Sequence, residues 1–106
     1  MPVTLVLPDG SAHPFSCARG RSVMDAIRAA GLPIKAECGG AMACATCHVH
    51  VHPDWMGAVG RAGDEERDLL DMSDYSAEVS RLSCQIACTE RLDGATLTLQ
   101  LDACAG

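Results

Sequence analysis

Residues 37–51 read ECGGAMACATCHVHV, and what the cysteines of this stretch hold decides how the rest of the chain is read. Cys44-Ala45-Thr46-Cys47-His48 matches C-x-x-C-H, a pattern that serves for covalent haem attachment. That reading uses two cysteines and one histidine and leaves Cys38 and the remote Cys84 without a task. It also belongs to exported proteins, whereas the opening MPVTLVLPDGS has neither a basic segment nor a long apolar one. Taken together, Cys38, Cys44, Cys47 and Cys84 have the spacing C-x5-C-x2-C-x36-C. Three thiolates in one loop and a fourth far along the chain suit a metal centre, and plant-type [2Fe–2S] proteins use C-x4-C-x2-C with a distant cysteine. A structural zinc site is the competing reading, but zinc sites favour paired C-x2–4-C motifs and only one such pair is present here. The loop composition also fits a cluster. Gly39 and Gly40 permit positive φ, and Ala41, Ala43 and Ala45 leave room for backbone amides to approach charged sulfur atoms.

The bulk properties narrow the class. A chain of 106 residues, 48% of them apolar, suits one domain, residues 1–106, with one packed core. Only Phe15, Trp55 and Tyr75 are aromatic, so the core must come from aliphatic side chains. No apolar run approaches the roughly 20 residues of a membrane span. The net charge of −6 argues against nucleic acid and favours a protein partner with a basic surface. Seven cysteines without a secretory signal point to a cytoplasmic metal protein rather than a disulfide scaffold. Cys17 and Cys88, outside the four-cysteine pattern, are read as small buried hydrophobes. Cys104, near the end, is read as exposed and open to intermolecular disulfides.

Periodicity predicts a strand over Val3–Leu7, a two-residue turn at Asp9-Gly10 and a returning strand over Ala12–Cys17. Ser22 with Asp25 resembles a capping box, and Val23, Ala26, Ile27 and Ala30 recur at helical spacing before the Gly31 stop. Residues 37–47 read as a loop and 48–52 as a strand whose three histidines share a polar face. Residues 53–63 read as a connecting loop, Asp64–Met72 as a short helix with Leu69, Leu70 and Met72 inward, and Leu82–Cys88 as a strand. Asp93-Gly94 marks a turn and Thr96–Leu101 a last strand. A mixed sheet with one main helix packed across it and a short acidic helix is the economical α+β arrangement.

The five-residue gap after Cys38, CGGAMACATCHV, the acidic DEERDLLDM and SRLSCQI around Cys84 together resemble the adrenodoxin and putidaredoxin branch of ferredoxins over nearly the whole chain. The resemblance implies a β-grasp fold and one [2Fe–2S] cluster, with Cys38 and Cys44 on one iron and Cys47 and Cys84 on the other. It implies a monomeric electron carrier and not an enzyme, standing between an FAD-containing NAD(P)H-dependent ferredoxin reductase and a cytochrome P-450 monooxygenase. A ferredoxin for iron–sulfur cluster assembly is the alternative within the family; such proteins often carry another cysteine where Met42 stands. A zinc-stabilised interaction module is the alternative outside it. The resemblance gives His48 a structural role, tying the cluster loop to the fold through hydrogen bonds.

Eight acids and two bases lie between Asp54 and Glu78, a local charge of −6. Asp64, Asp68, Asp71 and Tyr75 follow at i, i+4, i+7 and i+11, one stripe if the helix continues. On charge alone this is a solvated face. The resemblance assigns Asp68 and Asp71 to docking basic patches on redox partners, and Glu37, beside Cys38, becomes a second candidate contact.

Overall fold

The computed structural model describes residues 2–35 and 47–104. Its five-stranded sheet has the order β2-β1-β5-β3-β4, with β1 Pro2–Val6, β2 Ala12–Ser16, β3 His48–Val51, β4 Ser80–Leu82 and β5 Thr96–Leu99. β1 and β5 run parallel, with Leu5 opposite Leu97, and the other neighbours are antiparallel. Pro14 has no N–H to give to a ladder, and it is accommodated because β2 is an edge strand. Between β1 and β2 the loop holds three residues rather than two. Leu7 and Ser11 still pair, Gly10 N–H donates to the Leu7 carbonyl, and Gly10 takes φ +91°.

α1 spans Val23–Ala29. The Ser22 side chain accepts from the Asp25 N–H at 3.1 Å, which satisfies one of the four donors a helix start leaves open. Val23, Met24, Ala26 and Ile27 are buried and join the aliphatic core with Leu5, Val49, Leu82 and Leu97. This is the mixed sheet and crossing helix of the β-grasp arrangement.

The structure departs from the sequence pattern in four further places. Residues 53–63 are not all loop: a 3-10 turn at Pro53–Trp55 leads into α2, Met56–Val59. Pro53 is well placed at a helix start, and Gly60, at φ +75°, ends the helix. The acidic helix α3 covers Asp64–Leu70 and closes two residues early, so Met72 is 75% exposed rather than inward. Tyr75 therefore lies in the following turn and not on a helical stripe. Residues 82–88 are not one strand, since β4 stops at Leu82 and a 3-10 turn over Ser83–Gln85 follows. Finally, Cys17 and Cys88 are joined in a disulfide, so they are not separate buried thiols. Each sits against the core at no more than 2% exposure, which is why burial alone could pass for their purpose. No helix among the described residues is long and apolar enough to cross a membrane.

Candidate metal centre

The turn at Ser83–Gln85 brings the two distant ends of the cysteine pattern together. The Cys47 carbonyl accepts from both the N–H and the hydroxyl of Ser83, at 3.0 and 2.8 Å. This fixes the residue before Cys84 against Cys47, and the two sulfur atoms stand 3.4 Å apart. A disulfide would require about 2.0 Å. Two thiolates sharing a tetrahedral metal at about 2.3 Å each would stand about 3.8 Å apart. The pair therefore fits two ligands of one metal atom, and the fit needs only a small adjustment. Cys47 is fully buried and Cys84 is half-buried. Cys38 and Cys44, with Glu37, Gly39 and Gly40, lie outside the described residues.

The surroundings already favour a thiolate at position 84. The Cys47 thiol, hydrogen-bonded to it, lowers its pKa, and the Gln85 amide at 3.5 Å adds to this. Burial and the Glu66 carboxylate act in the other direction, and the net result is about 6. Iron is held by thiolates, and binding them releases protons, so a cysteine ionised near neutrality is a prepared ligand.

His48 is completely buried. Its Nε2 shares a 2.7 Å hydrogen bond with the Ser80 hydroxyl and its Nδ1 faces the Ser73 hydroxyl at 3.4 Å. Its carbonyl accepts from the Gln100 N–H. The residue next to Cys47 is thus tied to the 73–80 turn and to the chain beyond β5. His50 is part-buried, with Nε2 on the Tyr75 carbonyl at 2.7 Å, and His52 is exposed beside Asp54. The three histidines do not form one solvated strand face, because the 73–80 turn covers the first of them.

The acidic segment divides by orientation. Asp64, Asp68 and Asp71 are exposed, and Asp71 is held by Arg67 at 3.0 Å. Glu66 is only 5% exposed and pairs with the equally buried Arg81 at 2.6 Å. Glu66 also accepts from the Leu82 N–H, while Arg81 donates to the carbonyls of Val59, Gly60 and Gln85. This network joins the end of α2, α3 and the turn that carries Cys84. The sequence reading passed over it by counting Glu66 with the surface acids. The signal was present: Glu66 is four residues before Leu70, on the inward face, where a carboxylate requires a partner.

The 2Fe-2S iron-sulfur cluster binding domain family matches residues 6–89. The chain is 46% identical over 91 residues to the ferredoxin CarAc of Sphingomonas, covering 85% of this chain and 84% of that protein. It is 37% identical over 97 residues to the mitochondrial adrenodoxin homolog of Saccharomyces cerevisiae, covering 92% of this chain and 56% of that protein. Among solved structures, a ferredoxin from Rhodopseudomonas palustris HaA2 superposes with a TM-score of 0.91 at 38% identity, over 97% of this chain and 99% of that one. A chain of the covalent putidaredoxin reductase–putidaredoxin complex superposes with a TM-score of 0.87 at 36% identity, over 93% of this chain and 97% of that one. The matched family decides between iron–sulfur and structural zinc, and the cofactor is one [2Fe–2S] cluster. With its four-cysteine spacing, the paired sulfurs of Cys47 and Cys84 and this likeness over nearly its whole length, the chain belongs to the [2Fe–2S] ferredoxins, electron carriers of the putidaredoxin-like kind.

Proposed function

We propose that this chain is a one-electron shuttle from an FAD-containing NAD(P)H-dependent ferredoxin reductase to a cytochrome P-450 monooxygenase, acting in the cytoplasm as a monomer, one domain over residues 1–106. The observation that carries the reading is the position of the Cys47–Cys84 pair, with Cys47 buried and Cys84 half-buried, and with the acidic helix α3 fastened through Glu66 to Leu82, two residues before Cys84. The bound cluster supplies the redox chemistry by cycling between two oxidation states. Cys38, Cys44, Cys47 and Cys84 would hold it. Ser83 and His48 keep the ligand turns in place, and the Gln85 amide directs a donor at the Cys84 sulfur. Hydrogen bonds of this kind raise the potential by stabilising the reduced, more negative state. The reductase as donor is supported by the likeness to a chain of a covalent reductase complex. The P-450 acceptor is what the adrenodoxin and putidaredoxin resemblance implies.

Docking is assigned to Asp68 and Asp71, with Glu37 as a further contact. Reductase-coupled turnover, measured against ferredoxin concentration at several ionic strengths, tests this. Added salt should slow the reaction, because the Debye length falls from about 10 Å at 0.1 M to about 3 Å at 1 M. Asp68→Asn should raise the apparent KM by up to about fivefold, the factor that corresponds to ~1 kcal/mol for an exposed charge pair, and flatten the salt dependence. Asp71→Asn should do less, since Arg67 already offsets that carboxylate. Asp9→Asn, on the exposed β1–β2 hairpin, serves as control and should change little. Wild-type KM and salt slope in both helix variants would remove the docking assignment and leave a merely solvated face.

A further inference from the structure

The disulfide between Cys17 and Cys88 has a position that the electron-carrier role does not require. It joins the residue after β2 to the chain four residues beyond Cys84, across a sequence separation of 71. All four cysteines of the C-x5-C-x2-C-x36-C pattern lie within the loop it closes. The segment that it fastens is already laid against the entry to α1. Cys88 N–H donates to the Arg21 carbonyl at 2.9 Å, Val23 N–H donates to the Ile86 carbonyl at 2.8 Å, and Ser22 bridges Ala87. Those bonds break whenever this stretch opens. A covalent link does not, and it limits how far Cys84 can move from Cys47 in the opened state.

We propose that the Cys17–Cys88 disulfide is a redox-reversible clamp on cluster retention: closed, it keeps Cys84 near the other ligands during local opening, and reduced, it lets the cluster escape. The proposal rests on Cys84 being a cluster ligand. Reduction needs a dithiol. One thiolate of the dithiol attacks a protein sulfur and forms a mixed disulfide, while the other protein sulfur leaves as a thiolate. The second thiol of the reagent then closes its own disulfide and releases the first cysteine. Two electrons pass to the protein, and two thiols result once protons are taken up. Both sulfurs are buried, at 0% and 2% for their residues, so the attack proceeds from opened conformers and is slow in the folded protein.

The test uses the holoprotein purified without thiols, together with dithiothreitol as the reductant. Unfolding in the presence of an alkylating agent should label five of the seven cysteines, and all seven after dithiothreitol. Loss of visible cluster absorbance at raised temperature is then followed for untreated protein, for protein reduced anaerobically and freed of reagent, and for the Cys17→Ala/Cys88→Ala variant. Both altered forms should lose the cluster about tenfold faster, the factor expected when part of a disulfide's effect is felt in the opened state. The variant should be indifferent to dithiothreitol, and reoxidation should restore the wild-type rate. The reduced wild type decides the matter if the variant does not fold. Seven labels before reduction, or equal rates of loss, would overturn the clamp alone. Protein that holds no iron or labile sulfide when purified would overturn the ferredoxin reading and the clamp with it.

Discussion

Cys84→Ala purified anaerobically is expected to contain almost no iron or acid-labile sulfide and to be colourless. Cys47→Ala should behave the same way, as should Cys38→Ala and Cys44→Ala on the sequence pattern. The wild type should carry two irons and two sulfides per chain with little zinc, as one [2Fe–2S] cluster requires, and should give a reduced-cluster EPR signal after one-electron reduction. Alanine is the informative substitution because serine would leave an oxygen that can still bind iron. The size of the effect follows from the site. Cys47 and Cys84 stand 3.4 Å apart, and no other described cysteine joins them in a group that could hold a metal ion: Cys17 and Cys88 are bonded to each other, and Cys104 is bridged through its backbone to Ile34. Metal affinity is in part folding free energy, so the same variants should unfold at lower temperature. Cys104→Ser, outside the pattern, should keep both metal content and colour. Full iron and sulfide in Cys84→Ala, or their loss in Cys104→Ser, would mean that the fourth ligand has been misplaced.

The kind of cofactor was legible because three of the four cysteines stand in one short loop and the spacing of all four resembles a known family. Spacing within the loop needs no knowledge of the fold, and a cap such as Ser22, or a stop such as Gly31, acts over one turn of helix. Other meetings of distant stretches, which no such spacing marks, were not legible. Seven cysteines less four ligands leave three, and nothing in their order says that Cys17 meets Cys88. The inference of a reducing compartment also argued against any pair. The strand expected over 82–88 failed for a related reason. Leu82, Ile86 and Cys88 are buried as an alternating strand would have them, but the chain turns at Ser83–Gln85, where the Cys47 carbonyl takes both donors of Ser83, and a contact from a distant stretch overrides the period there. His48 read as part of a polar strand face because alternation reports the two sides of a strand without reporting what covers them.

Glu66→Ala is expected to lower stability by about 3–5 kcal/mol, because it strands a buried guanidinium. That corresponds to a midpoint lower by roughly 10–20 °C for a domain of this size. The same variant should shed its cluster at temperatures the wild type tolerates. Arg81 is 7% exposed at its side chain and Glu66 5%, so water cannot take over the partnership as it would at the surface. Loss of the carboxylate also leaves the Leu82 N–H without its acceptor. Glu66→Gln, which keeps an oxygen for the Leu82 N–H, should cost less. A Glu66→Leu/Arg81→Met pair should cost less than Glu66→Ala alone, since removing both charges avoids stranding either. Thermal melts followed by far-UV circular dichroism and by cluster absorbance would separate unfolding from cluster loss. The two should move together in Glu66→Ala, because the network runs from the α2 end through Glu66 and Arg81 to the Gln85 carbonyl, next to Cys84. An exposed pair is worth only about 0–1 kcal/mol. If Glu66→Ala melted within a few degrees of wild type, the pair would have to be solvated in solution, and α3 would be held to the sheet by Leu70 and its aliphatic neighbours alone.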